Sequence, residues 1–252
     1  MSFMIEAVQA AVIFFLIEGS LIAFLMFLSR RTDALCRVPG LDLAISALTW
    51  IPWALALGWF GWKGLLGCLI GQLGALETFI ALHPILRNYK GPTIKTTINQ
   101  IAGRINNHLG LYATLPALPG FLLIRLTEIC VWPLLVWTMK FPKYRDSEWI
   151  TISRQKFSGL VGHDLVWCLY CDWMTGLYSF GGEMLRNLES FWCPIRFYPD
   201  KKCDNCQIDF PDIKEWVSAD GTVKDVATLI NEKYPPKSDS PRAWFGHSIR
   251  KK

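Results

Sequence analysis

Histidine is scarce in this chain, with four in 252 residues. That is too few for a membrane di-iron centre. No G-x-S-x-G elbow, P-loop, dinucleotide fingerprint or H-E-x-x-H pair occurs, which removes the chemistries those motifs carry. No stripe of Lys and Arg interleaved with aromatics is present, so nucleic acid is not an expected partner. A cleavable signal is also missing. The first apolar run, from about Ala7 to Leu28, is longer than a signal core, and "SRRTDALCR" follows it instead of a small-residue cleavage site. It reads as a retained membrane span. Charge is sparse before Lys140 and ordinary after it.

What is present is apolar. The hydrophobic fraction is 52%, and nearly all of the excess lies before Lys140. The chain therefore divides into a transmembrane domain (1–139), a soluble Cys-rich domain (140–234) and an extended tail (235–252), whose "RAWFGH" is expected to dock back. Four apolar runs occupy 7–29, 41–62, 64–86 and 109–139. The first three are each just long enough to cross about 30 Å of hydrocarbon. Runs two and three meet at Lys63 and should form a tight hairpin. Gly64, Gly67, Gly71 and Gly74 give run three a smooth face for close helix packing.

The basic residues set an orientation. Arg30, Arg31 and Arg37 lie between runs one and two, and Arg87, Lys90, Lys95 and Arg104 between runs three and four. Both loops then prefer the cytoplasm. Run four is long for one span and short for two, and Pro116, Pro119 and Gly120 break its first half. A broken or re-entrant segment would return the chain to the cytoplasm, where Lys140, Lys143 and Arg145 fit the charge rule. A simple fourth crossing is the competing topology. The fold class expected is mainly α: three spans plus a broken or re-entrant fourth segment, followed by a small α-rich four-cysteine metal-binding domain. The expected setting is the cell inner membrane, multi-pass, with the soluble domain cytoplasmic and a membrane protein as partner.

Ionisable residues inside apolar runs mark sites or structural pairs. Here they are Glu18, Glu77, Arg125 and Glu128. Arg125 and Glu128 are three apart on a helix and close enough to pair. An amphipathic helix over 93–107 would put Ile94, Ile98, Ile101 and Ile105 on one side, against the membrane surface. His83 and His108 flank this loop. With Glu77 they are candidate ligands or proton carriers. His163, beside Asp164, is a further candidate base.

Eight cysteines are present. Cys36, Cys68 and Cys130 read as small buried hydrophobes. Cys168 and Cys171 form one C-x-x-C pair, and Cys203 and Cys206 a second. Two such pairs can place four thiolates around one zinc ion at about 2.3 Å. Cys193 or His163 could replace one ligand. An iron–sulfur cluster would accept the same four thiolates, and disulfides would suit an outside location.

These features support three readings. The first is an integral membrane protein with a cytosolic zinc-binding domain, acting in assembly, scaffolding or interaction within a membrane complex. The second is a membrane-bound enzyme acting on a lipid or isoprenoid at the inner surface, with Glu77, His83, His108, Arg125, Glu128 and His163 as its candidate residues. The third is an iron–sulfur electron carrier to a quinone.

Overall fold

The computed structural model describes residues 2–29, 32–198, 200–235 and 240–251. The topology signals Arg30 and Arg31, and the tail positions 236–239 expected to be extended, lie outside the described residues. The chain is mainly helical, and among the described residues it holds no strand, only two isolated bridges, Arg37 with Thr151 and Ile195 with Val217. Three segments are long and apolar enough to cross a membrane: Met4–Ser29, Gly40–Leu86 and Arg104–Met139. Packing divides the chain into two units. One comprises 1–116 with 146–176, the other 117–145 with 177–252. Composition places a boundary near residue 140; packing interleaves the two stretches.

In the first unit, α1 (Ser2–Ser29), α2 (Gly40–Leu48) and α3 (Trp50–Leu86) form the apolar bundle. Gly61 breaks α3 with φ 62° and ψ −155°. The chain folds back there. The Trp53 indole donates to Gln72 Oε1 at 2.7 Å, whereas 19 residues of straight helix would separate them by about 28 Å. The expected hairpin is thus present, with its break at glycine, which takes positive φ at no steric cost. The glycine face also does what run three suggests. A Cβ at Gly67 would collide with the carbonyl of Ala7, and one at Gly71 with that of Ala11. Backbone therefore lies against backbone. An ion pair joins Glu6 to Lys63 at 3.1 Å, so the start of α1 and the hairpin turn share one end of the bundle.

Glu18 is buried at 2% exposure and accepts from Gln72 Nε2 at 3.0 Å. The same amide donates to the Leu48 carbonyl at 3.0 Å. Gln72 therefore ties α1, α2 and both legs of the hairpin through polar groups that would be costly unpaired. Around this bundle Val8, Val12, Leu16, Phe24 and Phe27 stand exposed. Such an apolar surface is compatible with a bilayer around it.

The amphipathic helix expected over 93–107 is two helices, α4 (Ile94–Ala102) and α5 (Arg104–Tyr112), hinged at Gly103 with φ 85°. Ile94, Ile98, Ile101, Ile105 and Leu109 are all exposed. Residues 146–161 return to the first unit, where Ile152 N–H donates to Cys36 O at 2.8 Å. The first half of α7 (Gly162–Trp192) completes it.

The second unit holds α6 (Leu118–Met139), the second half of α7, α8 (Asp200–Cys206) and α9 (Val223–Lys233). Run four is broken once, by the turn between Tyr112 and Leu118, and α6 then runs unbroken for 22 residues. No return turn lies within it. A single helix, α7, carries both "WCLYC" and "GGEMLRN". Each internal glycine costs a helix about 1 kcal/mol relative to alanine, and α7 continues through Gly181 and Gly182. The second C-x-x-C pair lies on α8. α9 starts with Thr222 and Asp225 forming a capping box. The core comprises Phe210, Ile213, Trp216 and Phe245, so the "RAWFGH" segment does dock back.

Candidate functional site

α7 opens with the densest group of titratable side chains in the first unit. Gly162, its first residue, has φ 51° and packs against the Ile80 carbonyl and the Pro84 ring. Any side chain there would push α7 off α3. This contact lets Gly162 N–H donate to His83 Nδ1 at 3.1 Å. His83 is 7% exposed and rests on Phe79, with ring centroids 5.0 Å apart. Its bond to the backbone fixes the turn before α7, a structural role.

Asp164 caps α4 from 70 residues away. Its carboxylate accepts from Ile94 N–H at 2.6 Å and from Lys95 N–H at 2.9 Å. Two orphan donors of the first turn are satisfied this way, and the negative charge suits the positive end of the helix. Thr93 adds a capping box at the same terminus. The amphipathic pair α4–α5 is thus held down at its start by α7. No sequence signal connects these positions.

With Asp164 engaged, His163 is left over. It is 7% exposed, and its Nδ1 lies 3.6 Å from Asp164 Oδ1, too long for a hydrogen bond. Among the described residues neither ring nitrogen has a hydrogen-bond partner. Burial, and after it the positive charge of Lys95, hold its proton affinity below the ordinary imidazole value, while Asp164 works in the opposite direction. The ring is therefore neutral at physiological pH, with one nitrogen able to accept a proton.

Trp167 stands one turn along α7, its ring centroid 6.1 Å from that of His163. It meets Tyr112 edge-on at 5.4 Å. Tyr112 stacks on His108 at 4.5 Å and donates its hydroxyl to Glu77. Glu77 and His108 are exposed. Four of the expected residues, Glu77, His83, His108 and His163, thus belong to one packed neighbourhood in this unit. Tyr112, Trp167 and Gln72 were not singled out by the sequence, and Asp164 was named only as the neighbour of His163.

The other two expected residues lie in the second unit. Arg125 and Glu128 on α6 pair at 3.0 Å and are both buried, as the i, i+3 spacing suggests. The same unit holds a groove of about 570 Å³ between α6, the second half of α7 and the 209–210 turn.

The cysteines divide between the units. Cys168 and Cys171 are on the first half of α7, Cys203 and Cys206 on α8, and all eight thiols are free. Among the described residues no three His, Cys, Asp or Glu side chains form a group that could hold a metal. Phe197 N–H donates to Cys203 Sγ at 3.1 Å, and the thiol donates back to Phe197 O at 3.3 Å. Burial pushes the Cys168 thiol above its ordinary value, the reverse of a reactive cysteine. Cys193 is exposed at the end of α7, and Cys130, expected to be buried, is exposed on α6.

No family model matches the chain, and no curated protein or solved structure matches it.

Proposed function

We propose that this chain is a membrane-bound enzyme acting on a lipid or isoprenoid at the membrane–water boundary, with His163 as its proton carrier. One observation carries the reading: a buried, neutral imidazole with no hydrogen bond to either nitrogen among the described residues. Buried polar groups are nearly always paired, and exceptions call for an explanation such as a catalytic role. The setting supports it. The apolar faces of α4 and α5 suit the plane of a bilayer surface, and Asp164 holds that helix pair beside His163. A substrate head entering there would give the ring the partner it lacks, and a proton could move to or from the accepting nitrogen.

The test is a lipid comparison. Membranes from cells producing the wild-type chain should differ in one lipid or isoprenoid species from those producing His163→Gln at equal membrane levels. Identical lipid profiles for the two would overturn the reading.

The zinc-stapled assembly factor is the second reading. Both C-x-x-C pairs lie on helices, where i and i+3 share a face, so each pair can chelate. Metal analysis of the purified protein separates the two. One zinc per chain, lost with the fold in a Cys168→Ser, Cys206→Ser double variant, would favour the scaffold.

A further inference from the structure

The stretch around α4 and α5 carries one sign of charge. No Asp or Glu lies between Glu77 and Glu128, while Arg87, Lys90, Lys95 and Arg104 fall between them. Arg87, Lys90 and Arg104 are exposed and Lys95 is half-buried. Among the described residues none of these four makes an ion pair. The carboxylates that do touch the helix pair are engaged with other groups. Asp164 accepts from the Ile94 and Lys95 N–H groups, and Glu77 from the Tyr112 hydroxyl.

The same helices sort their apolar residues outward. Asn107 Nδ2 donates to Asn99 Oδ1 at 2.9 Å across the Gly103 hinge, so polar faces of α4 and α5 meet. Ile94, Ile98 and Ile101 of α4, and Ile105 and Leu109 of α5, are left exposed. Arg87 directly follows the apolar segment Gly40–Leu86, and Arg104 opens the segment Arg104–Met139. The helix pair is therefore joined to the chain where apolar spans meet water. Long basic side chains at such points reach the level of lipid head groups.

We infer that α4–α5 is a binding surface for anionic phospholipid, its isoleucines among the upper acyl chains and Arg87, Lys90, Lys95 and Arg104 against the head-group phosphates. An apolar face flanked by cations is the pattern that lies in a membrane surface and responds to its charge. A zwitterionic head brings its own cation to the same place, whereas an anionic head brings net negative charge. The inference rests on the placement of α4–α5 at the bilayer surface given above and not on His163.

The experiment is native mass spectrometry of the full chain in detergent, titrated with dioctanoyl phosphatidylglycerol or dioctanoyl phosphatidylcholine. The glycerol lipid should bind about tenfold more tightly, and each single change of Arg87, Lys90, Lys95 or Arg104 to Gln should weaken it about twofold. All four together should abolish the preference at an unchanged melting temperature; should that variant fail to fold, the single changes carry the test. Lys224→Gln on α9 should have no effect. Ile98→Asn with Ile105→Asn should weaken both lipids about tenfold and leave their ratio unchanged. Hydrogen exchange over 94–112 should fall when the glycerol lipid is added. Equal binding of the two lipids, or a preference kept by the folded fourfold variant, overturns the proposal. Exchange unchanged over 94–112 overturns the location. Competition by glycerol 3-phosphate as strong as by the lipid would make this a site for free phosphate and overturn the membrane source. His163→Gln should keep the preference, so failure here leaves the lipid-profile test of His163 standing.

Discussion

α7 carries a buried polar cluster at each end, and the two are built on opposite terms. At the far end the groups are tied together. Glu183 Oε1 accepts from the Tyr144 hydroxyl and from the Trp244 indole, each at 2.8 Å, and Oε2 pairs with Arg186 at 2.9 Å. Asn187 donates to Tyr144 at 2.9 Å and to the Glu183 carbonyl at 2.7 Å, and accepts from Trp244 N–H at 3.1 Å. Ser190 and Phe245 N–H both donate to Asp212 Oδ2. Burial first, and the Glu183 charge second, push the Tyr144 hydroxyl well above its ordinary value, so it stays a donor. At the near end both oxygens of Asp164 accept backbone N–H groups, while among the described residues His163 makes no hydrogen bond. A network whose members satisfy one another rigidifies a fold. A buried ring that makes no hydrogen bond adds little to such a network.

The comparison breaks most visibly at Asn187. It is fully buried, and Asn187→Ala would leave the Trp244 N–H without its acceptor and take one donor away from Tyr144. A loss on the order of 3 kcal/mol is expected, read as a lower melting temperature in detergent. The tail should be cut earlier by protease, since the Trp244 N–H would lose its acceptor. An Asn187→Ala chain as stable as wild type would show that the far cluster is not structural.

A smaller effect is expected at Asp164. Asp164→Ala removes the cap of α4 and should cost about 1–2 kcal/mol. Hydrogen exchange should rise over 94–102 and stay unchanged over 223–233, where Thr222 caps its own helix. Uniform exchange across both helices would show that Thr93 alone suffices.

These two caps also mark what the sequence can and cannot convey. Thr222 and Asp225 are three residues apart, and α9 starts where that pair places it. The hairpin, the glycine face of α3 and the Arg125–Glu128 pair are likewise written in local spacing. Asp164 reaches α4 across 70 residues, and that contact exists only once α3, α4 and α7 have packed. Gly181 and Gly182 carry a helix-breaking preference, yet α7 runs through them. The cysteine spacing allows four thiolates to gather, but spacing sets possible loops and not which helix face each pair takes. The site residues were thus legible as residue types at the right depth, while their division into structural and idle members required the partners.

The smallest effect sharpens the same contrast by pH. His163 has a lowered proton affinity when folded, while in the unfolded chain it titrates near about 6.5. Between those two values the unfolded chain binds the extra proton, so stability rises with pH there. The contribution is complete above about pH 6.5 and is lost as the pH falls below it. Lys95 and His108 add to the shift and Asp164 opposes it. His247 is shifted in the same direction by burial, against Glu183, and contributes a parallel slope. Melting temperatures measured from pH 7.5 down to 5, with His163→Gln and His247→Gln made singly, apportion it. Each substitution should flatten the fall by part of its total. His163→Gln should cost less than about 1 kcal/mol at neutral pH, because neither ring nitrogen makes a hydrogen bond to lose. A large neutral-pH loss would mean that His163 is held after all, and the two ends of α7 would then be alike.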